Sequence, residues 1–170
     1  SQGVGIVLDL RNNPGGLVSS VVDVTSQFID DGLVLYQVDA KGNRRNWGVK
    51  SGGKALDIPM VVLVNEFSAS ASEVFTGAII DNDRATVIGT TTFGKGSVTN
   101  LWPLRDGSGV NFTTARWFTP NGSLIEGEGL TPDIVLKPLA EDEDEDLYLD
   151  QAIEILKEEL SAGSQAKNRQ

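Results

Sequence analysis

The chain has 170 residues, of which 39% are hydrophobic, enough for one globular domain with a substantial core. Its 14 Lys and Arg against 24 Asp and Glu give a formal net charge of −10, which disfavours a nucleic acid as partner. Cysteine and histidine are absent, which excludes disulfides, thiolate and imidazole metal sites, and every catalytic triad that needs His. An acid–base group that works near neutral pH must therefore be a carboxylate, a tyrosine or a lysine.

The first elements are predicted to be a strand, a turn and a helix. A β-branched run at residues 4–10 is typical of a strand buried on both faces of a parallel sheet, and RNNPGG after it predicts a turn. Apolar residues at helical spacing over 18–29 then predict a helix that ends at Asp30-Asp31-Gly32. This order is the first half of a βαβ unit.

The middle of the chain continues the alternation. Residues 33–38 are predicted to form a strand, and the polar, glycine-punctuated segment 39–57 a hairpin or a surface loop. A buried strand at 60–65, a helix whose apolar face spans 71–79 and a short strand at 85–89 follow. The alternation predicts an α/β core.

The last third changes period. Residues 97–104 and 110–119 read as an antiparallel pair, and 134–136 as one more strand. The run EDEDED at 141–146 predicts a solvated linker or the negative start of a helix rather than a metal site, and a helix with a frayed tail follows. We divide the chain into a core, residues 1–138, and a linker, helix and tail, residues 139–170.

The serine stretch NEFSASASEVF, residues 65–75, has two interpretations. Ser70-Ala71-Ser72-Glu73 is an S-x-x-E capping box before an apolar helical face, so Ser70 could simply accept the backbone N–H of Glu73. A serine at a helix N-terminus can also act as a nucleophile if a base lies close. Ser68 and Ser72 are expected in the loop and in the first helical turn.

Lys95, in TTTFGKGS, is the candidate base. Its flanking glycines let the backbone approach closely, and we expect them to keep the amine partly shielded from water, which favours the free base. A Ser-Lys pair is the hydrolase dyad that a chain without His permits.

Two further motifs are open to more than one interpretation. Residues 89–95 match G-x-x-x-x-G-K, the start of a phosphate-binding loop, although Gly96 replaces the Ser or Thr that binds magnesium and a strand is predicted where that loop needs a helix. The glycines of RNNPGG could simply supply positive φ, or their bare N–H groups at a helix start could form an oxyanion hole.

Four linked motifs resemble the C-terminal processing, or tail-specific, serine peptidases across about residues 3–137. They are LDLRNNPGG, VLVNEFSASASEVF, TTFGKGSV, and TTARWFTPNG with EGEGLTPDI. The resemblance implies a crotonase and Clp-protease type of β-α spiral core with an antiparallel hairpin and a C-terminal helix. It implies a serine endopeptidase that cleaves proteins near their C-terminus and needs no cofactor or metal.

Site residues are carried over position by position. The family's nucleophile falls on Ser70 and its base on Lys95, while Asp81, Glu73 and Thr92 match its supporting positions. The oxyanion hole is assigned to Gly15, Gly16 and the N–H of Ala71. Many members carry Gln four residues after the lysine; here the position is Thr99, so either Thr99 or Asn100 substitutes or the amine is held less firmly.

Partners and compartment follow from the same resemblance. Members usually carry a PDZ domain before this core and act on the C-terminal regions of proteins in the periplasm, cell envelope or thylakoid lumen. An extracytoplasmic parent protein with a PDZ module is the expectation, and assembly into a homo-oligomer is left open. Two alternatives stay open: a peptide-binding scaffold whose dyad is unproductive, and a nucleotide-binding loop.

Overall fold

The fold consists of two four-stranded sheets and three helices, seen in a computed structural model that describes residues 4–136 and 146–167. The first sheet is parallel, with strand order β1-β4-β5-β8. Its strands are β1 (Ile6–Asp9), β4 (Met60–Val64), β5 (Thr86–Gly89) and β8 (Ile134–Val135). The five residues of β4 are all buried, as expected of a central strand covered on both faces.

The second sheet is antiparallel, with strand order β3-β2-β7-β6. It comprises β2 (Leu33–Asp39), β3 (Arg44–Gly48), β6 (Ser97–Pro103) and β7 (Gly109–Phe118). The predicted pairing of the two strands after Gly94 is confirmed, and the segment 39–57 contains the return strand of a hairpin. β6 begins two residues after Lys95, so the sheet's edge adjoins the candidate base.

The main hydrophobic core lies around the second helix. Helices α1 (Val18–Thr25) and α2 (Ala71–Asp81) pack between the sheets, and nine of the eleven residues of α2 are buried. Phe28 meets Phe75 edge to face, with ring centroids 5.8 Å apart. The start of α2 is therefore held rigidly from all sides.

Helix α3 (Leu147–Lys167) covers the other face of the parallel sheet. Its buried residues Tyr148, Ala152 and Leu156 pack on residues of the three longer parallel strands, Val61, Leu63, Ile88 and Val7. The helix continues past Ser161, where the sequence predicts a frayed tail. Of the acidic run, Asp146 is described: its Oδ1 accepts the N–H of Leu149 at 3.1 Å, which makes it the helix cap.

Among the helices of residues 4–136 and 146–167, none is long and apolar enough to cross a bilayer.

Candidate active site

The site forms where two neighbouring parallel strands end. β1 runs into the RNNPGG turn and β4 runs into the serine stretch, so both loops emerge from the same edge of the sheet. The amide of Asn65 joins them, because its Oδ1 accepts the N–H of Asn12 at 2.9 Å and its Nδ2 donates to Asn12 Oδ1 at 3.0 Å. The turn is thereby fixed against the loop that carries Ser70.

The three serines of the stretch at 65–75 differ in their hydrogen bonds. Ser68 Oγ donates to the Leu10 carbonyl at 2.7 Å, and Ser72 Oγ donates to the Asn13 carbonyl at 3.1 Å. Both outer serines thus bind the backbone that follows β1, Ser68 at Leu10 just before the RNNPGG turn and Ser72 at Asn13 within it. In the described part of the chain, the Ser70 hydroxyl makes no such bond to the turn, so Ser70 is the serine available for chemistry.

Ser70 has an unusual backbone conformation. Its φ of 58° and ψ of −116° lie in a region that non-glycine residues rarely adopt, at a cost of about 1–3 kcal/mol. The predicted capping box is present, with the Glu73 carboxylate accepting the Ser70 N–H at 2.9 Å. A capping hydroxyl still has its own proton to donate, so the cap and nucleophile interpretations are compatible.

Glu73 is the residue that joins the two halves of the site. Its side chain is completely buried, and its Oε2 accepts the N–H of both Ser70, at 2.9 Å, and Lys95, at 2.8 Å. Its Oε1 accepts the Thr92 hydroxyl and the Gly94 N–H, each at 2.6 Å. All four partners are donors, and Glu73 lies in the first turn of α2, where the helix dipole favours an acceptor. Residues 70 and 95 are therefore adjacent in space.

Thr92 holds the other side of this carboxylate. Its buried hydroxyl donates to Glu73 and accepts the N–H of Leu130 at 2.8 Å. Its own N–H donates to the Leu130 carbonyl at 3.0 Å. The loop before Lys95 is thus tied both to α2 and to the segment that leads into β8.

We expect Thr92→Val to destabilise the protein by about 1–3 kcal/mol, because the nearly isosteric side chain leaves the buried Leu130 N–H without an acceptor. The free energy of unfolding from urea denaturation measures the loss. Thr91→Val is the matched control, since Thr91 is exposed and has no hydrogen-bond partner among the described residues. Equal values for the two variants would contradict the assigned role of Thr92.

The glycines around Lys95 allow neighbouring backbone to approach closely, and they do not shield the amine. A Cβ on Gly94 would lie 3.0 Å from the Gly129 N, and one on Gly96 would lie 2.5 Å from the Glu126 N. The predicted close approach of backbone is confirmed. The predicted shielding of the amine is wrong for this chain: Lys95 is exposed, and within residues 4–136 and 146–167 its Nζ has no hydrogen bond to Ser70 or any other group. Its side chain is free to rotate.

Two of the predicted supporting residues lie apart from this cluster. Asp81 ends α2, about 16 Å from Ser70 along the helix, and its Oδ2 accepts the Asn121 N–H at 2.7 Å. Thr99 is exposed on β6, just beyond a register shift, and Asn100 donates from its Nδ2 to the Thr114 hydroxyl. Neither Thr99 nor Asn100 is bonded to the lysine amine in the described structure.

The oxyanion-hole candidates are close together but not equivalent. A Cβ on Gly15, where φ is +100°, would lie 2.7 Å from the Ala71 N and 2.8 Å from Ser70 Cβ. However, the Gly15 N–H already donates to Asn13 Oδ1 at 2.9 Å. Within the described residues the N–H groups of Gly16 and Ala71 have no acceptor, so these two are the available donors.

The phosphate-loop interpretation loses its basis. The N–H groups of Gly94 and Lys95, which would have to face a phosphate, donate to Glu73, and the residues after them form β6 rather than a helix.

Sequence reasoning missed two sets of residues. Asn13 and Asn65 fix the two loops to each other, and polar residues at the ends of adjacent parallel strands were a usable signal. Leu17, Phe67 and Phe93 lie beside the site residues in sequence and expose 72%, 58% and 63% of their surface. Exposed large apolar side chains next to a site are a surface for an apolar ligand.

Comparisons with known proteins place this chain in a family. The family model described as Peptidase family S41 matches residues 2–136. A carboxy-terminal-processing protease of Bartonella bacilliformis is 45% identical over 142 residues, which cover 81% of this chain and 32% of that protein. A carboxyl-terminal-processing protease of Synechocystis sp. is 43% identical over 136 residues, 79% of this chain and 32% of that protein.

A solved structure agrees with these relatives. The photosystem II D1 C-terminal processing protease superposes with a TM-score of 0.74 at 42% identity, covering 79% of this chain and 35% of that one. The chain spans about a third of the length of the relatives it matches. The fold and the motifs agree with the comparisons, and the chain belongs to peptidase family S41.

Proposed function

We propose that this chain is the catalytic core of a serine endopeptidase that cleaves proteins near their C-terminus, with Ser70 as nucleophile and Lys95 as general base. The observation that carries the proposal is the pair of hydrogen bonds from the Ser70 and Lys95 N–H groups to one oxygen of the buried Glu73. These bonds hold the two residues next to each other although 25 positions separate them in sequence. The strained backbone at Ser70 adds support, since such strain is concentrated at functional sites.

In the first half of the reaction, Ser70 Oγ attacks the carbon of the scissile carbonyl while the neutral Lys95 amine accepts the hydroxyl proton. The oxyanion that forms is stabilised by the N–H groups of Ala71 and Gly16, at the positive end of α2. Collapse of this intermediate breaks the C–N bond, and Lys95 returns the proton to the leaving amine. The products of this step are the released C-terminal peptide and an ester on Ser70.

In the second half, water attacks the Ser70 ester and Lys95 accepts a proton from it. The second tetrahedral intermediate collapses, the serine oxygen leaves and takes the proton back, and the new carboxyl terminus departs. Lys95 has to turn its exposed side chain toward Ser70 for both halves. Binding of a peptide over Phe67 and Phe93 displaces water from this surface and favours that rotamer.

Substrate class and cellular context belong to the same proposal. The curated relatives are named for carboxy-terminal processing, and we extend that substrate class, the C-terminal regions of proteins, to this chain. We further propose an extracytoplasmic parent protein with a PDZ module that delivers the substrate, as the sequence motifs suggest.

A fluorophosphonate probe, which phosphonylates activated serines with loss of fluoride, tests the proposal. We expect labelling of the chain at Ser70, identified by peptide mass, and its loss to background in Ser70→Ala and in Lys95→Ala. Ser51→Ala is the control, because Ser51 is exposed and lies outside the site loops at 11–16, 65–75 and 91–96. Labelling that persists in Lys95→Ala would refute the dyad.

The second candidate function is a peptide-binding core without turnover. It is favoured by the exposed Lys95 amine, which has no bond to Ser70 within the described structure. It predicts no fluorophosphonate labelling of the wild-type chain together with saturable binding of an apolar C-terminal peptide. Labelling at Ser70 excludes it.

A further inference from the structure

Arg11 lies at the centre of a charge cluster that joins the start of α3 to the loop before the candidate nucleophile. It is the second residue after β1 and precedes Asn12, and its side chain is 16% exposed. Its Nη1 donates to Asp146 Oδ1 at 2.8 Å and its Nη2 donates to Asp146 Oδ2 at 2.7 Å. This two-point geometry is the strong and directional form of the Arg–carboxylate pair.

Asp9 closes the cluster from the other side. Its Oδ2 accepts Arg11 Nη2 at 2.7 Å, and its Oδ1 accepts both the backbone N–H and the Nε of Arg11 at 3.0 Å. The guanidinium also lies 5.8 Å from the centre of the Tyr148 ring on α3. Hydrogen bonds to Arg11 hold the pKa of Asp146 below its usual range, so the pair is ionised at neutral pH.

The backbone on either side of Arg11 is the part of the chain that the serine loop is built on. The Leu10 carbonyl accepts the Ser68 hydroxyl at 2.7 Å, and the Asn13 carbonyl accepts the Ala69 N–H at 3.0 Å. Ala69 is the residue before Ser70. A shift of Arg11 would therefore move the acceptors that hold the loop immediately before the candidate nucleophile.

We propose that Asp146 is a positioning residue of the site, acting through Arg11 on the loop that carries Ser70. The helix that Asp146 begins lies outside the segment matched by the family model, which ends at residue 136. Docking of α3 on the parallel sheet is thus coupled to the geometry of the site. The effect on catalysis rests on the proposed function, whereas the coupling itself does not.

The test compares Asp146→Asn with Asp150→Asn in the whole chain. Asn is as good a helix cap as Asp, so the first variant removes the charge facing Arg11 while α3 still begins normally. Asp150 is exposed in the first turn of the same helix and has no side-chain partner among the described residues, so its variant controls for the lost charge. Arg11→Lys, which keeps the charge but loses the two-point bond, examines the same contact from the other side.

Hydrogen exchange is the readout that does not depend on activity. We expect the amides of Asn12 and Ala69 to exchange about tenfold faster in Asp146→Asn and Arg11→Lys, with the α3 amides unchanged. Unchanged exchange of these two amides in both variants, or an equal increase in Asp150→Asn, overturns the inference. If the α3 amides also exchange faster in Asp146→Asn, the exchange of Asn12 and Ala69 in Arg11→Lys decides whether the inference holds.

The rate constant of Ser70 phosphonylation by the fluorophosphonate is the second readout. We expect it to fall on the order of tenfold in Asp146→Asn at a temperature where circular dichroism shows the chain fully folded. An unchanged rate, with a wild-type chain that labels, overturns the positioning role. Faster exchange together with no labelling of the wild type would instead support the coupling and refute the proposed peptidase.

Discussion

Glu73→Gln is expected to abolish fluorophosphonate labelling at Ser70 and to destabilise the fold at the same time. The amide has nearly the shape of the carboxylate, but its Nε2 end is a donor and would face either the pair of donors at Oε1 or the pair at Oε2. Two buried donors then lose their acceptor, at a cost of about 1–3 kcal/mol each.

The expected loss of labelling in Glu73→Gln follows from the geometry of the site. Without Oε2 as acceptor, nothing else in the described residues holds the Ser70 and Lys95 N–H groups to a common point. Misplacement of a catalytic group by about 1 Å can cost on the order of 100-fold in rate. We expect at least that loss in the rate constant of Ser70 phosphonylation, and a decrease in the free energy of unfolding from urea denaturation.

Glu126→Gln is the control for this prediction. The Glu126 Oε2 accepts one backbone N–H, that of Gly96, at 2.7 Å, and an amide oxygen can replace it there. The variant should lose about 1 kcal/mol or less of stability. Labelling of Glu73→Gln at the wild-type rate would show that the shared carboxylate is dispensable.

Gly15→Ala is expected to have the second largest effect, since it pushes the turn away from the nucleophile. The new Cβ would lie 2.6 Å from the Ala69 carbonyl oxygen, 2.7 Å from the Ala71 N and 2.8 Å from Ser70 Cβ. These are backbone atoms or atoms fixed to the backbone, so the clash is relieved only by moving the turn or the start of α2. The positive φ of Gly15 adds about 1 kcal/mol of strain.

Gly52→Ala separates the two causes. Gly52 has a similar φ, +94°, but a Cβ on it meets nothing within 4 Å. The free energy of unfolding of Gly52→Ala should show the cost of the backbone conformation alone, and fluorophosphonate labelling of this variant should be unaffected. Gly15→Ala should lose about 2 kcal/mol more unfolding free energy than Gly52→Ala, and its rate of Ser70 phosphonylation should fall on the order of 100-fold. Equal free energies of unfolding for Gly15→Ala and Gly52→Ala would mean that the turn moves to accommodate the new Cβ without disturbing Ser70.

The sequence predicts those parts of the fold that depend on patterns between neighbouring residues. The strand β4, the helix α2 and the hairpin of β6 and β7 follow from a buried run, an apolar face and a turn, each within about a dozen residues. The capping box at Ser70 and Glu73 is local as well. These predictions are confirmed because local preference and final packing agree.

The remaining features depend on contacts between distant segments. The bond from Ala69 to Asn13 and the clamp from Arg11 to Asp146 join residues whose proximity only the sheet register and the docking of α3 create. The exposure of Lys95 is another such feature, because flanking glycines describe backbone space and not the path of a long side chain. Thr99 is displaced by a register shift that its sequence does not announce.

The shared carboxylate of Glu73 also determines what can move in this site. Because it anchors the main chain of Ser70 and of Lys95, neither backbone can move relative to the other without breaking a hydrogen bond to this buried side chain. The remaining freedom lies in the four-carbon stem of Lys95, and exposed side chains change rotamer within picoseconds to nanoseconds. The proposed dyad therefore combines a fixed backbone at Ser70 and Lys95 with a mobile Lys95 side chain. The contact between the Lys95 amine and the Ser70 hydroxyl can form and break many times while a single peptide is bound.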